Sequence, residues 1–139
     1  MLNEYQRRSL SITLRIIEER LADIELILNK CDDIHILYER KCDIPGEVKE
    51  EVLRKTFFAK DRIRIIAENF NLKKKSIEAS REAFGKLPDC WQILEDEKAK
   101  KLKRYGDVAA GIKEALDPDL DIIINLIFDM ERLLRTIHK

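Results

Sequence analysis

Gly106 and Gly111 are separated by four residues in GDVAAGIKEALDPDL (residues 106–120), with Lys113 just behind them. Two glycines at that spacing, followed by lysine and then serine or threonine, make a phosphate cradle. The glycine amides wrap the phosphates, the lysine reaches the outer ones, and the hydroxyl ligates magnesium. Here the order breaks: Gly111 is followed by Ile112, Lys113 and Glu114. No hydroxyl is present, a carboxylate stands in its place, and the preceding KAKKLKRY is a charged helical pattern rather than a buried strand. The stretch therefore reads as helix punctuation. Gly106 stops a basic helix in a left-handed cap, Asp107 starts a short helix in which Gly111 is a close-packing position, and Asp117-Pro118 opens the last helix.

Metal chemistry would draw on Cys31, His35 and Cys42, which share one face if their segment is helical. On a continuous helix the two cysteines would lie about 16 Å apart, too far for one ion to bind both. A site built on Cys31 and His35 would need ligands from elsewhere, such as Cys90. The expectation is no metal, with the cysteines serving as small apolar side chains and His35 hydrogen-bonded on the same seam. Three widely spaced cysteines suggest reduced thiols in a cytoplasmic protein rather than a disulfide framework.

Acid–base or nucleophilic catalysis has little to work with. The histidines are His35 and His138, and no serine or cysteine has a recognisable partner nearby in sequence. An enzyme assembled in the core would draw on His35, Tyr38 and Glu39. Asp117, Asp119 and Asp121 resemble a metal loop, but Pro118 makes helix capping the better account. Phosphate recognition has more material. Lys98, Lys100, Lys101, Lys103 and Arg104 form one basic run and Lys73, Lys74 and Lys75 another, either able to contact nucleic-acid phosphates. Against this, Lys+Arg and Asp+Glu balance at 27 each, so no global field steers the chain to nucleic acid or an anionic membrane. No catalytic residue, cofactor or metal ligand is assigned.

The elements that must position these residues are helices. Apolar residues make up 45% of the chain and charged residues 39%, with few glycines and prolines, a composition that favours long helices. Leu10, Leu14, Ile17, Leu21, Ile24, Leu28, Cys31, His35 and Tyr38 step by four and three, which predicts one helix from near Asn3 to near Cys42. Ile44-Pro45-Gly46 ends it. A second helix is expected over residues 47–70, a third piece over 73–84, a fourth over 89–105 and a last one from Asp117. Val48, Val52, Ala59, Ile63, Ile66 and Phe70 form the second helix's core face. Leu120, Ile123, Ile127, Met130, Leu134 and Ile137 form that of the last. The longest uncharged apolar run, IIINLIF, is too short to span a bilayer. The expectation is an all-α antiparallel bundle of four to five helices with a long first helix, as a single domain over residues 1–139.

The first helix would overhang such a bundle. Ile27, Ile34, Leu37 and Tyr38 then become candidate interface residues, and twofold self-association is the commonest way to cover them.

Trp91 and Ile93 opening the penultimate helical region, Arg104-Tyr105 in its later part and LDPDLDIIINLIFDMERLL at the end resemble the HEPN superfamily of helical domains. That resemblance implies an all-helical, usually dimeric bundle that binds a protein partner or RNA, often beside a minimal nucleotidyltransferase. Its ribonucleases place an arginine and a histidine four to six residues apart just before the last helix. Here YGDVAAG follows Arg104, and the spacing recurs only at Arg132 and His138, at the far end of the last helix. The first reading is thus a non-enzymatic, cytoplasmic interaction protein that forms a homodimer or holds a protein partner. The alternative is an RNA- or nucleotide-binding HEPN-like protein, a degenerate nuclease or a nucleotidyltransferase partner.

Overall fold

The structure is a computed structural model that describes residues 1–137. The chain is all-α with a long first helix. It divides into two compact units, residues 1–74 and 75–139.

In the first unit, α1 (Glu4–Asn29) opens with a capping box. Asn3 Oδ1 accepts the Gln6 N–H at 2.8 Å, and Gln6 Oε1 accepts the Asn3 N–H at 2.9 Å. α2 (Gly46–Asn69) starts directly after Pro45 and packs against α1. Lys60 Nζ meets Glu25 Oε1 across the two helices at 2.6 Å. Leu28 is the buried side chain of α1 and Thr56 that of α2. The Thr56 hydroxyl donates to the Val52 carbonyl at 2.9 Å, so its burial leaves no orphaned donor.

The expected helix through Asn29 to Cys42 does not form. α1 ends at Asn29, and the chain turns back through a minimal antiparallel hairpin, β1 (Asp33–Ile34) and β2 (Glu39–Arg40). Asn29, Asp32 and Asp33 are weak helix formers whose side chains compete for backbone bonds. Asp32 Oδ1 does so here, accepting the Cys42 N–H at 2.8 Å. The cysteines are not reduced thiols 16 Å apart: a Cys31–Cys42 disulfide closes the hairpin with the Cα atoms at 4.9 Å. Cys90 is free.

In the second unit, α3 (Ala79–Phe84), α4 (Cys90–Glu95) and α5 (Ala99–Leu102) each pack on the long α6 (Ile112–Thr136). A 3-10 turn (Lys103–Tyr105) follows α5. The third piece is shorter than expected, and the single helix expected over 89–105 is broken. The break has a tertiary cause. The Ala99 N–H bonds Asp117 Oδ1 at 3.0 Å instead of a carbonyl of the preceding turn, and Lys98 takes an extended backbone.

α6 starts six residues earlier than the Asp117-Pro118 signal. Its N-cap is Gly111, at φ 87°, a left-handed conformation that glycine adopts without a Cβ clash. Pro118 lies inside the helix, where its missing N–H leaves the Glu114 carbonyl without its usual donor. The inward stripe is also shifted. Ile124, Ile127 and Glu131 are buried, whereas Ile123, Met130 and Ile137 are exposed.

Candidate functional site

Two surfaces carry the residues that the sequence singled out, one in each unit. In the first unit, Ile27 lies on α1, while Ile34, Leu37 and Tyr38 belong to the hairpin rather than to a helical overhang. All four side chains are exposed, as is Ile36, at 98%. The hairpin is held from inside by its acids. Asp33 Oδ2 meets His35 Nε2 at 2.8 Å and Asp33 Oδ1 meets Lys30 Nζ at 3.2 Å. These bonds, first that from His35 and then that from Lys30, hold the Asp33 carboxyl below its ordinary value of 3.8. The His35 ring stacks on Tyr38 with centroids 4.3 Å apart, and the Tyr38 carbonyl accepts the His35 N–H at 2.9 Å.

This arrangement corrects the seam placement of His35. It stands outside the core, with Asp33 as the hydrogen-bond partner that a buried position would have required. Glu39 is exposed and pairs with Lys41 at 3.4 Å. His35, Tyr38 and Glu39 therefore do not converge in a core site. Among the described residues no group of three His, Cys, Asp or Glu side chains is placed to hold a metal ion.

In the second unit the basic run separates into two sets. Lys98 and Arg104 are occupied internally. Lys98 Nζ reaches Asp121 at 2.5 Å and Glu95 at 3.1 Å, and these bonds, Asp121 first, raise its pKa above 10.5. Arg104 donates to the Asp96 carbonyl at 3.4 Å, approaches Glu97 at 3.9 Å and lies over the Tyr105 ring. Lys100 and Lys103 instead line a cleft of about 470 Å³ with Ala99, Val108, Ala109, Gly111, Lys113 and Glu114. Lys101 is exposed and is not part of that lining. Lys73 and Lys74 fall in the irregular segment after α2, and Lys75 begins the second unit.

In the sequence Lys113 belongs to a failed phosphate loop, and no spacing joins it to Lys100 and Lys103. The signal was the glycine pair, whose φ angles of 138° at Gly106 and 87° at Gly111 shape the connection into α6. Arg104 has no histidine in the seven residues behind it, and His138 lies outside the described residues.

No family model matches the chain, and no curated protein or solved structure does either. Among the described residues, no helix is long and apolar enough to cross a membrane.

Proposed function

We propose that this protein is a non-enzymatic helical interaction module that self-associates as a homodimer through α1 and the adjoining hairpin. The supporting observation lies on α1. Its isoleucines, Ile12, Ile16, Ile17, Ile24 and Ile27, keep 38% to 43% exposure, while Leu28 is the one side chain of that helix that is buried. An apolar stripe wider than one neighbour can cover calls for a second neighbour. The hairpin continues the same apolar character with Ile34, Ile36, Leu37 and Tyr38, all exposed. A twofold pairing covers both with one repeated contact.

The HEPN-like resemblance belongs to this proposal, since it implies an all-helical dimeric domain. A cytoplasmic setting does too. Dithiols there would act on the Cys31–Cys42 bridge, so bridged and open forms both enter the reading.

Sedimentation velocity at micromolar concentration tests the proposal. The expected result is a concentration-dependent dimer that Ile27→Glu combined with Leu37→Glu shifts to monomer. A wild-type chain that stays strictly monomeric, oxidised and reduced, overturns it.

A further inference from the structure

The hairpin turns on a two-residue loop, Ile36-Leu37, closed by the His35 N–H on the Tyr38 carbonyl at 2.9 Å. Loops of that length match the twist of their strands when their residues take positive φ. Neither does so here: among the described residues, Asn71 is the only non-glycine residue with positive φ. The strands run for two residues each, and a hairpin so short is marginal in water. The Cys31–Cys42 bridge is what closes this one, with the Cα atoms 4.9 Å apart.

The same residues carry a second pattern. Cys31 and Tyr38 continue the seven-residue step of Leu10, Ile17 and Ile24, and His35 and Cys42 continue that of Leu14, Leu21 and Leu28. No glycine or proline interrupts the chain from Asn29 to Ile44. A helix built on this pattern has a partner in α2. The bridge keeps the start of α2 near the end of α1, so the two helices run antiparallel. Glu25, four residues from the end of α1, meets Lys60, fourteen residues into α2. α2 therefore projects past α1 by about ten residues, or about 15 Å. In that register Leu28 falls beside Thr56, both buried, whereas Val48, beyond the end of α1, is exposed. Continued in the same register, α1 brings Tyr38 level with Val48 and ends at Glu39, opposite Gly46.

Helix and bridge exclude each other. Residues eleven apart on a helix are separated by about 16 Å, and a disulfide spans no more than about 7 Å between Cα atoms. We propose that the Cys31–Cys42 bridge is a redox switch of backbone structure. Oxidised, residues 31–42 form the hairpin. Reduced, α1 continues through Cys31 to about Glu39 along α2. A dithiol drives the change. One of its thiolates attacks a bridge sulfur, which forms a mixed disulfide and frees the other cysteine. The second thiolate then displaces the first cysteine. The bridge takes up two electrons and two protons, and the dithiol ends as a disulfide. The Lys30–Asp33 ion pair spans three residues and suits a helix as well as the hairpin. Asp32 and Asp33 are weak helix formers, which keeps the helix from winning while the bridge is closed. On the longer helix Ile34 lies seven residues after Ile27, in line with the exposed stripe of α1. Opening the bridge thereby lengthens the pairing surface, a consequence that rests on the self-association reading. The exchange of hairpin for helix does not.

Backbone nuclear magnetic resonance of the full chain, oxidised and then reduced with dithiothreitol, tests the switch. The Cα shifts of residues 33–39 are expected to move from hairpin to helical values on reduction and to return with oxidised glutathione. Cys31→Ser with Cys42→Ser should show the helical values without reductant. Ile36→Asn with Leu37→Gly supplies a turn that favours the hairpin, so this turn variant should keep hairpin values when reduced. Hairpin or coil values in both the reduced wild type and the double serine variant overturn the proposal. Equal helix gain in the turn variant overturns it too. Sedimentation of the same samples keeps the two readings apart: helical values in a reduced protein that stays monomeric sustain the switch and remove the pairing.

Discussion

Asp117 caps α5 and not the helix that contains it: its Oδ1 accepts the Ala99 N–H at 3.0 Å. Ala99 is itself buried, so its amide has no easy recourse to water. Replacing Asp117 by Ala removes the acceptor and is expected to cost about 1–2 kcal/mol. Asp117→Asn keeps an oxygen in place and should recover most of that loss. Urea unfolding of the three proteins checks the order.

The Cys31–Cys42 bridge closes a segment with a sequence separation of 11. In the chain-entropy account a loop of that size contributes about 2–3 kcal/mol by restricting the unfolded chain. Cys31→Ser with Cys42→Ser should lower the unfolding midpoint of the oxidised protein and abolish its sensitivity to dithiothreitol. A wild-type midpoint unmoved by reductant would contradict the bridge.

Asp33 predicts how the hairpin responds to acid. Its carboxyl is held below 3.8 by His35 and Lys30. A group whose pKa is depressed by folding contributes stability above its unfolded value and loses it as pH falls through the folded value. The Asp33 contacts should therefore be retained through the ordinary carboxylate range and be lost on acidification below it. Asp33→Asn should remove that step. Nuclear magnetic resonance of the His35 and Tyr38 rings, titrated downward from neutral pH, follows both proteins.

Glu131 occupies the inward stripe of α6 with 11% of its side chain exposed. Among the described residues its Oε1 has no hydrogen-bond partner, and Oε2 lies 3.7 Å from the Arg135 guanidinium. A buried acceptor left unmatched costs more than an apolar side chain of similar size in the same place. Glu131→Leu is expected to raise stability by about 1–2 kcal/mol, read as a higher thermal midpoint. A fall in that midpoint would show that the carboxylate does something the apolar side chain cannot.

Local backbone chemistry is what the sequence made legible. α2 runs over Gly46–Asn69 against an expected 47–70, because Pro45-Gly46 and Asn71 act on their own neighbours. The start of α1 follows from Asn3 for the same reason. Its end was hidden because Cys31, His35 and Tyr38 keep the helical step while sitting in a hairpin. The turn itself carries Ile36 and Leu37, with no glycine or asparagine to announce it. Tertiary bonds account for the remaining differences. Ala99 finds Asp117 across 18 residues, which breaks the fourth helix and takes the cap away from the last. At the basic cleft, Lys100 and Lys103 were visible as a charged run. That Lys98 pairs with Glu95 and Asp121 and Arg104 bonds the Asp96 carbonyl, and that Lys113 lines the same cleft from another helix, depends on packing that no spacing rule encodes.

The disulfide also alters what a cut in this chain means. Residues 31–42 form a covalent ring, and Arg40 and Lys41, exposed beside Cys42 at its base, are protease targets. A nick after either residue opens the ring without dividing the molecule, since a second covalent path between α1 and α2 runs through the two sulfurs. Topologically, this exposed part of the first unit is a part whose cleavage severs little.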